Sequence, residues 1–327
     1  MPKQTLLTGM RPTSTLHVGN YFGALKPLIE YQKQYQTYLM VADIHALTTL
    51  EDTKDVRENT LKIVMLYLAC GVNPKKVTLF VQSLIPEHTE LATLFSMIVP
   101  KSMLELNPVY KEMLAENPKA TNLGLLAYPV LQAADILAYK ASVVPVGRDQ
   151  LPHIELAREI ARRFNTRFGK IFPEPASKIT ADLKILSLQD PAKKMSKSHG
   201  EHTYIGLLDS VDQIRKKIKT AVTDSGKDIV YDPENKLGLS NLMFLMHLAS
   251  DEPIKKIEQR FVGRGYGEFK EAVASSLIML LEPIQMRYQK LAKNKKAVEK
   301  LLAEHSKKAQ KIAQKTLTEA KTKIGLF

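Results

Sequence analysis

Two short stretches of this chain carry the residue types that handle phosphate. The first runs from Thr8 to Gly23 and holds Arg11-Pro12-Thr13, then His17-Val18-Gly19-Asn20. An apolar run, Thr5-Leu6-Leu7, stops just before it, and an amphipathic helix pattern begins near His17. A strand that passes through a Gly/Pro turn into a helix N-terminus makes an anion site, because free N–H groups and the helix dipole both favour phosphate. The second stretch is Lys193-Lys194-Met195-Ser196-Lys197-Ser198, in a loop. Ammonium groups there can neutralise a polyphosphate, while hydroxyl and backbone N–H groups donate to it. Lysine–serine loops are common on surfaces, so the weight lies in the pair. A third group is Asp135, inside the apolar helix pattern Leu123 to Tyr139, with Tyr128 and Gln132 earlier on the same pattern. A carboxylate in such a place is costly unless a donor meets it. That donor is either a ligand N–H or a neighbouring backbone N–H.

The elements that must position these groups alternate strand and helix. Gln4 to Thr8 reads as a strand, His17 to Gln34 as a helix, and Thr37 to Ala42 as a second strand. Lys54 to Cys70 reads as a helix with Thr53 or Asp52 as N-cap and Gly71 just past its end, and Val77 to Gln82 as a third strand. This order predicts an α/β fold with a doubly wound parallel sheet, in which ligands bind beyond the carboxyl ends of the strands. Val143 to Val146 is a further buried strand leading into Gly147-Arg148-Asp149-Gln150, and a helix follows to about Phe164. Residues 165 to 200 read as irregular, broken by Pro173, Pro175 and Pro191. Beyond about Thr203 the pattern is helical. Its last stretch, Lys290 to Lys323, holds eleven Lys and three Glu, with one apolar face and one basic face.

The chain has 327 residues and a formal net charge of +13, which favours acidic partners, nucleic acid first among them. No apolar run is long enough to span a bilayer, and Met1 to Lys3 lead straight into the first strand, so neither a membrane partner nor a signal peptide is expected. Cys70 is the only cysteine, which excludes an intrachain disulfide framework and a cysteine zinc site. A reduced, cytoplasmic setting is expected, and Cys70 reads as core packing.

Thr15-Leu-His-Val-Gly-Asn20 resembles the first signature of class I aminoacyl-tRNA synthetases, and Lys194-Met-Ser-Lys-Ser198 matches the second letter for letter. The chain resembles the tryptophanyl-tRNA synthetase family most closely, and over nearly all its length. The likeness runs from Gly9-Met-Arg-Pro-Thr13 through Gly19-Asn-Tyr-Phe-Gly-Ala-Leu25, Ala133-Ala-Asp-Ile-Leu137 and Pro145-Val-Gly-Arg-Asp-Gln150 to Ser240-Asn-Leu242.

The resemblance implies a Rossmann-like ATP and tryptophan domain over 1–208, including the lysine loop, and a helical domain that reads the tRNA anticodon over 209–327. It implies attack of the L-tryptophan carboxylate on the α-phosphate of ATP, release of pyrophosphate, and transfer of the aminoacyl group to the terminal adenosine of tRNA(Trp). Neither step needs a protein nucleophile; positioning and charge stabilisation suffice. His17 and Asn20 would donate to the phosphates, and Gly19 would let the nucleotide approach. Arg11, Pro12 and Thr13 would form a turn over it. Lys194 and Lys197 would clamp the pyrophosphate with Ser196 and Ser198, and Lys111 would add a phosphate contact. Met195 would pack near the adenine, Ile185 would meet it through its backbone, and Gly147, Arg148 and Asp149 would lie at the ribose. Asp135 would accept the indole N–H, Val144 and Val146 would flank the ring with Gln132, and Tyr128 and Gln150 would hold the amino and carboxylate ends. Mg²⁺ is expected with ATP but no dedicated metal cage, and the family forms homodimers. In this chain Gln132 stands where many members have methionine. Arg11 and Arg148 replace a glutamine and an acidic residue of common bacterial members. Three rival readings share parts of this pattern: a tyrosyl-tRNA synthetase, a small-molecule nucleotidyltransferase, and a synthetase-like protein that binds tRNA or acts as a regulator.

Overall fold

The computed structural model describes residues 3–12, 16–50, 52–116, 122–179 and 183–327, with only the backbone of Glu116 and Ser198. Its sheet has five parallel strands: β1 (Thr5–Met10), β2 (Gln36–Val41), β3 (Val77–Val81), β4 (Val143–Val146) and β5 (Ala176–Ile179). They lie in the order β3-β2-β1-β4-β5. The register is continuous from Thr5 opposite Gln36 to Met10 opposite Val41, and from Thr37 opposite Val77 to Val41 opposite Val81. The order reverses between β1 and β4, so their carboxyl ends open the crevice where sheets of this kind bind ligands.

The helices follow the apolar periodicity. Val18–Asn20 (α1) runs through a single π turn, Tyr21–Leu25, into α2 (Lys26–Gln34). Asp43–Ala46 forms the short α3, and Val56–Cys70 forms α4, closed by Gly71 at φ 114°, a backbone region that favours glycine. Next come α5 (Glu87–Ser96), α6 (Lys101–Glu105), α7 (Pro108–Glu116), α8 (Leu123–Ala138) and α9 (Leu151–Phe168). After β5 the chain is helical: α10 (Val211–Lys219), α11 (Leu237–Ser250), α12 (Ile254–Arg260), α13 (Tyr266–Ala292) and α14 (Lys295–Ile324). Cys70 is buried at the end of α4.

One expectation needs correction. Residues 165–200 are not wholly irregular: α9 continues to Phe168, and Ala176–Ile179 pairs with β4 from Val143 opposite Ala176 to Val146 opposite Ile179. This edge strand follows Pro175 and has no continuous apolar run, so its pairing partner rather than its own composition makes it a strand.

By packing, the chain forms two compact units. One compact unit comprises Met1–Ser14, Leu28–Asp182 and Asn294–Phe327, and the other Thr15–Pro27 and Leu183–Lys293. The last helix therefore belongs with the sheet. It buries Val298, Leu302, Ala309, Ala313 and Leu317, and its buried polar side chains serve the open edge of β3. His305 Nδ1 accepts from the Leu79 N–H at 3.2 Å, and Ser306 Oγ from the Val81 N–H at 3.5 Å. An uncovered strand edge is a template for another chain, and α14 removes that hazard here.

Candidate active site

In the sheet unit, the groups beyond the strand ends converge on Asp135. This residue lies on α8, one and two turns beyond Gln132 and Tyr128, so all three share a face. Its carboxylate is 1% exposed. Two strand-end turns supply its partners. His45, just past β2, brings Nε2 to 2.8 Å from Oδ2. Gln82, just past β3, donates its amide Nε2 to both carboxylate oxygens at 3.0 and 2.9 Å. His88 on α5 sets Nδ1 at 2.9 Å from Oδ1, off the line of a straight N–H···O bond. Burial alone pushes the carboxyl up, but the hydrogen bonds and charge of His45 and His88 outweigh it and hold the pKa below the ordinary value. Asp135 is therefore an anion enclosed in an apolar helix.

Around it, Tyr128 meets His45 edge to face at 6.2 Å and shares a hydrogen bond of 3.1 Å with His153 Nε2. Burial pushes the Tyr128 phenol up to about 12, against the opposing charge of Arg11. Burial, helped by His45, brings His153 down to about 4, so its ring is neutral near pH 7. Val144 and Val146 are buried and, two apart on β4, point to the same face of the sheet. Gln150 donates to Asp149 Oδ2 at 2.8 Å. A Cβ on Gly147 would lie 2.4 Å from Asp149 Oδ1, so glycine there lets the carboxylate fold back over the turn. Arg148 and Asp149 are exposed; Pro12 is buried and Arg11 exposed, its guanidinium reaching Thr49 Oγ1 at 3.4 Å. Lys111 stands exposed on α7. Thr13 lies outside the described residues, as does the side chain of Ser198.

The phosphate-type residues of the other unit form a second group. His17 is the N-cap of α1: its Nδ1 accepts from the Gly19 N–H at 3.1 Å, and Asn20 Oδ1 accepts from the His17 N–H at 3.1 Å. This capping box has a chemical consequence. With Nδ1 an acceptor, the ring proton sits on Nε2; with Oδ1 engaged, Asn20 keeps its NH₂ for other partners. The expectation for Gly19 also sharpens, since a Cβ would lie 2.8 Å from His17 Cε1. Glycine there makes room first for the histidine ring. Burial brings His17 down to about 4, with Lys197 and then Lys194 adding repulsion, so it is a neutral donor.

The lysine loop is tied to a frame. Ser187 N–H donates to Lys193 O and Met195 N–H to Ile185 O, both at 2.9 Å, and Asn241 holds Leu186 through its N–H and C=O at 2.9 and 3.0 Å. Met195 and Ile185 are buried, Lys194 is exposed, and Thr203 Oγ1 donates to Ser196 O at 2.9 Å. Burial brings Lys197 down to about 8. A neutral imidazole N–H and two lysines within electrostatic reach of it are suited to a polyphosphate.

The sequence pattern ends a strand at Gln82 without giving that residue a role, and it gives none to His45, His88 or His153. Polar residues directly after buried strands were the available signal for the first two; nothing local marked the others. Among the described residues no group of three His, Cys, Asp or Glu side chains is placed to hold a metal ion, and no helix is long and apolar enough to cross a membrane.

One unit holds a parallel sheet that reverses at β1 and β4, and the other holds a capped imidazole and a lysine loop; these are features of α/β proteins that handle nucleotides. The family model described as tRNA synthetases class I (W and Y) matches residues 2–282, and the chain belongs to that family. It is 41% identical to the tryptophan–tRNA ligase of Halalkalibacterium halodurans over 99% of this chain and 98% of that one. It is 40% identical to the tryptophan–tRNA ligase of Bacillus subtilis over the same shares. The crystal structure of tryptophanyl-tRNA synthetase from Campylobacter jejuni complexed with ADP and tryptophan superposes with a TM-score of 0.89 at 33% identity, covering 99% of this chain and 100% of that one.

Proposed function

We propose that this chain is an ATP-dependent tryptophan–tRNA ligase. It activates L-tryptophan to the adenylate with release of pyrophosphate, then transfers the aminoacyl group to the terminal adenosine of tRNA(Trp). The observation that carries the reading is the neutral His17, proton on Nε2, within electrostatic reach of Lys194 and Lys197. Such a group stabilises charge on phosphate without itself taking part in covalent chemistry.

In this reading His17 and the Asn20 amide donate to the ATP phosphates. Lys194, Lys197, Ser196 and Ser198 hold the departing pyrophosphate, and Lys111 adds charge. Met195 and the Ile185 backbone meet the adenine; Gly19, Arg11, Pro12 and Thr13 form the approach, and Gly147, Arg148 and Asp149 meet the ribose. Asp135 accepts the indole N–H, with Val144, Val146 and Gln132 about the ring, and Tyr128 and Gln150 at the amino-acid end. A pocket built to satisfy an N–H can reject an analogue lacking it by about 10⁴–10⁵, so phenylalanine needs no editing site. Mg²⁺ arrives with the ATP phosphates as part of that substrate. The helices from residue 209 onward carry the tRNA-binding surface. The protein works as a homodimer in the cytoplasm.

Pyrophosphate exchange into ATP, run separately with tryptophan, tyrosine and phenylalanine, tests this. Exchange with tryptophan alone, followed by charging of tRNA(Trp), is the expected result. Exchange with tyrosine would move the protein to the tyrosine branch of the family, and none with any of the three would defeat the ligase reading.

A further inference from the structure

Asp135 does not aim itself. A carboxylate with two oxygens offers about four acceptor positions; His45 takes one on Oδ2 and Gln82 one on each oxygen, which leaves one on Oδ1, where His88 lies off the hydrogen-bond line, for a further donor. We propose that Gln82 and the His88–Tyr139 pair are positioning residues that fix Asp135 as the acceptor of the substrate's indole N–H; the proposal rests on that role of Asp135.

The Gln82 amide has one possible orientation. Its Oε1 accepts from the His45 backbone N–H at 3.2 Å, so Nε2 must face Asp135, where it reaches both oxygens at 3.0 and 2.9 Å. Gln82 therefore ties the β3 end, the β2 end and α8 together through one side chain. The turn it sits on is pinned as well: Ser83 N–H donates to Asp43 Oδ1 at 2.9 Å, and the Ser83 hydroxyl to Oδ2.

The second arm is the pair beside Oδ1, the oxygen that His45 does not meet. His88 Nε2 lies 2.8 Å from the Tyr139 hydroxyl, and Nδ1 lies 2.9 Å from Asp135 Oδ1. A protonated phenol donating to Nε2 puts the imidazole proton on Nδ1, toward the carboxylate. Tyr139 is itself locked, stacked on Tyr38 with ring centroids 4.6 Å apart. Gln82 and His88 are both fully buried, so neither can exchange this duty for a bond to water. They set where the two oxygens point, without being groups that touch tryptophan.

The test compares kcat/KM in pyrophosphate exchange for tryptophan and for β-(benzothiophen-3-yl)alanine, which carries sulfur in place of the indole N–H. The ratio of the two reports the N–H contact and is blind to a general loss of active enzyme. Gln82→Leu is expected to lower the ratio by about tenfold or more, as loss of a hydrogen bond to a charged group implies. Tyr139→Phe, which removes one buried hydroxyl and should fold normally, is expected to lower it about threefold. The KM for ATP stays unchanged in both. In ¹⁵N spectra wild-type His88 is the Nδ1–H tautomer, and Tyr139→Phe releases it to a mixture. Equal losses for both amino acids, leaving the ratio at the wild-type value, would show a merely structural network and overturn the proposal. Asp135→Ala is the control that separates the two ideas. If it abolishes discrimination while Gln82→Leu and Tyr139→Phe leave it intact, positioning fails and the role of Asp135 stands. If Asp135→Ala itself leaves the ratio unchanged, the Asp135 reading fails and this proposal with it.

Discussion

His17 Nδ1 accepts the backbone N–H of Gly19 at 3.1 Å, so one hydrogen bond both caps a helix and chooses the tautomer of the family's signature histidine. The two jobs can be separated by substitution. Asparagine is a good N-cap, worth about 1 kcal/mol over alanine at such a position. His17→Asn should therefore keep most of the wild-type denaturation midpoint and His17→Ala should lose that amount. Both should lower the adenylation rate about 10²-fold, as loss of one preorganised donor does. Full activity in His17→Asn would mean that the residue is a cap and nothing more.

The depressed His17 pKa gives a pH signature. From the ordinary 6.5 down to about 4, an unfolded chain takes up a proton that the folded histidine refuses. The unfolded state then binds more protons, so stability rises with pH across this window and is lost as pH falls through it. Urea midpoints between pH 7 and pH 4 should drop less in His17→Asn than in the parent. A parallel fall in the two proteins would contradict the burial argument.

Lys197 is expected to act in the transition state, where charge grows on the departing pyrophosphate. Lys197→Ala should cut kcat for exchange about 10²-fold with the tryptophan KM nearly constant. Burial holds its ammonium near 8. In the free enzyme its charge, and with it kcat/KM for ATP, should fall as pH rises through that value, and Lys197→Arg should move the falling limb upward. Proportional losses in kcat and in tryptophan affinity would refute this role.

Removing the Asp135 carboxylate strips the partner from His45 and Gln82. Asp135→Ala should raise the tryptophan KM at least about tenfold and destabilise the fold by about 3–5 kcal/mol, the range for breaking a buried charged pair. Because its folded pKa lies below the ordinary 3.8, Asp135 contributes stability above that value, and the contribution is lost as pH falls through the folded pKa. Acid denaturation below pH 4 should consequently be shallower in the variant. An unaltered tryptophan KM would make Asp135 structural.

Ending the chain at Asn294 removes the helix whose His305 and Ser306 accept from the β3 edge. The truncated protein should aggregate on expression or associate through that edge, read by light scattering. A monodisperse, active product would show that α14 is dispensable to the sheet.

What could be read from the residues alone was local. Strand and helix alternation, the stop at Gly71, the lysine loop and the turn at His17 each follow from a few neighbouring side chains, and short-range spacing records them. Even the tail was legible in part: Leu291, Val298, Leu301 and Ile312 recur at helical spacing, although the structure buries Leu302 beside Val298 and leaves Ile312 exposed. The tertiary structure decided the rest. It made Ala176–Ile179 a strand by pairing it with β4, and it assigned α14 to the sheet unit. It also gave Asp135 its three partners, from His45 to Gln82 and His88, on elements far from it in sequence. Backbone propensity and capping act over three or four residues and leave a periodic trace. A buried carboxylate finds its donors only once separate elements pack, and no spacing along the chain encodes which ones they will be.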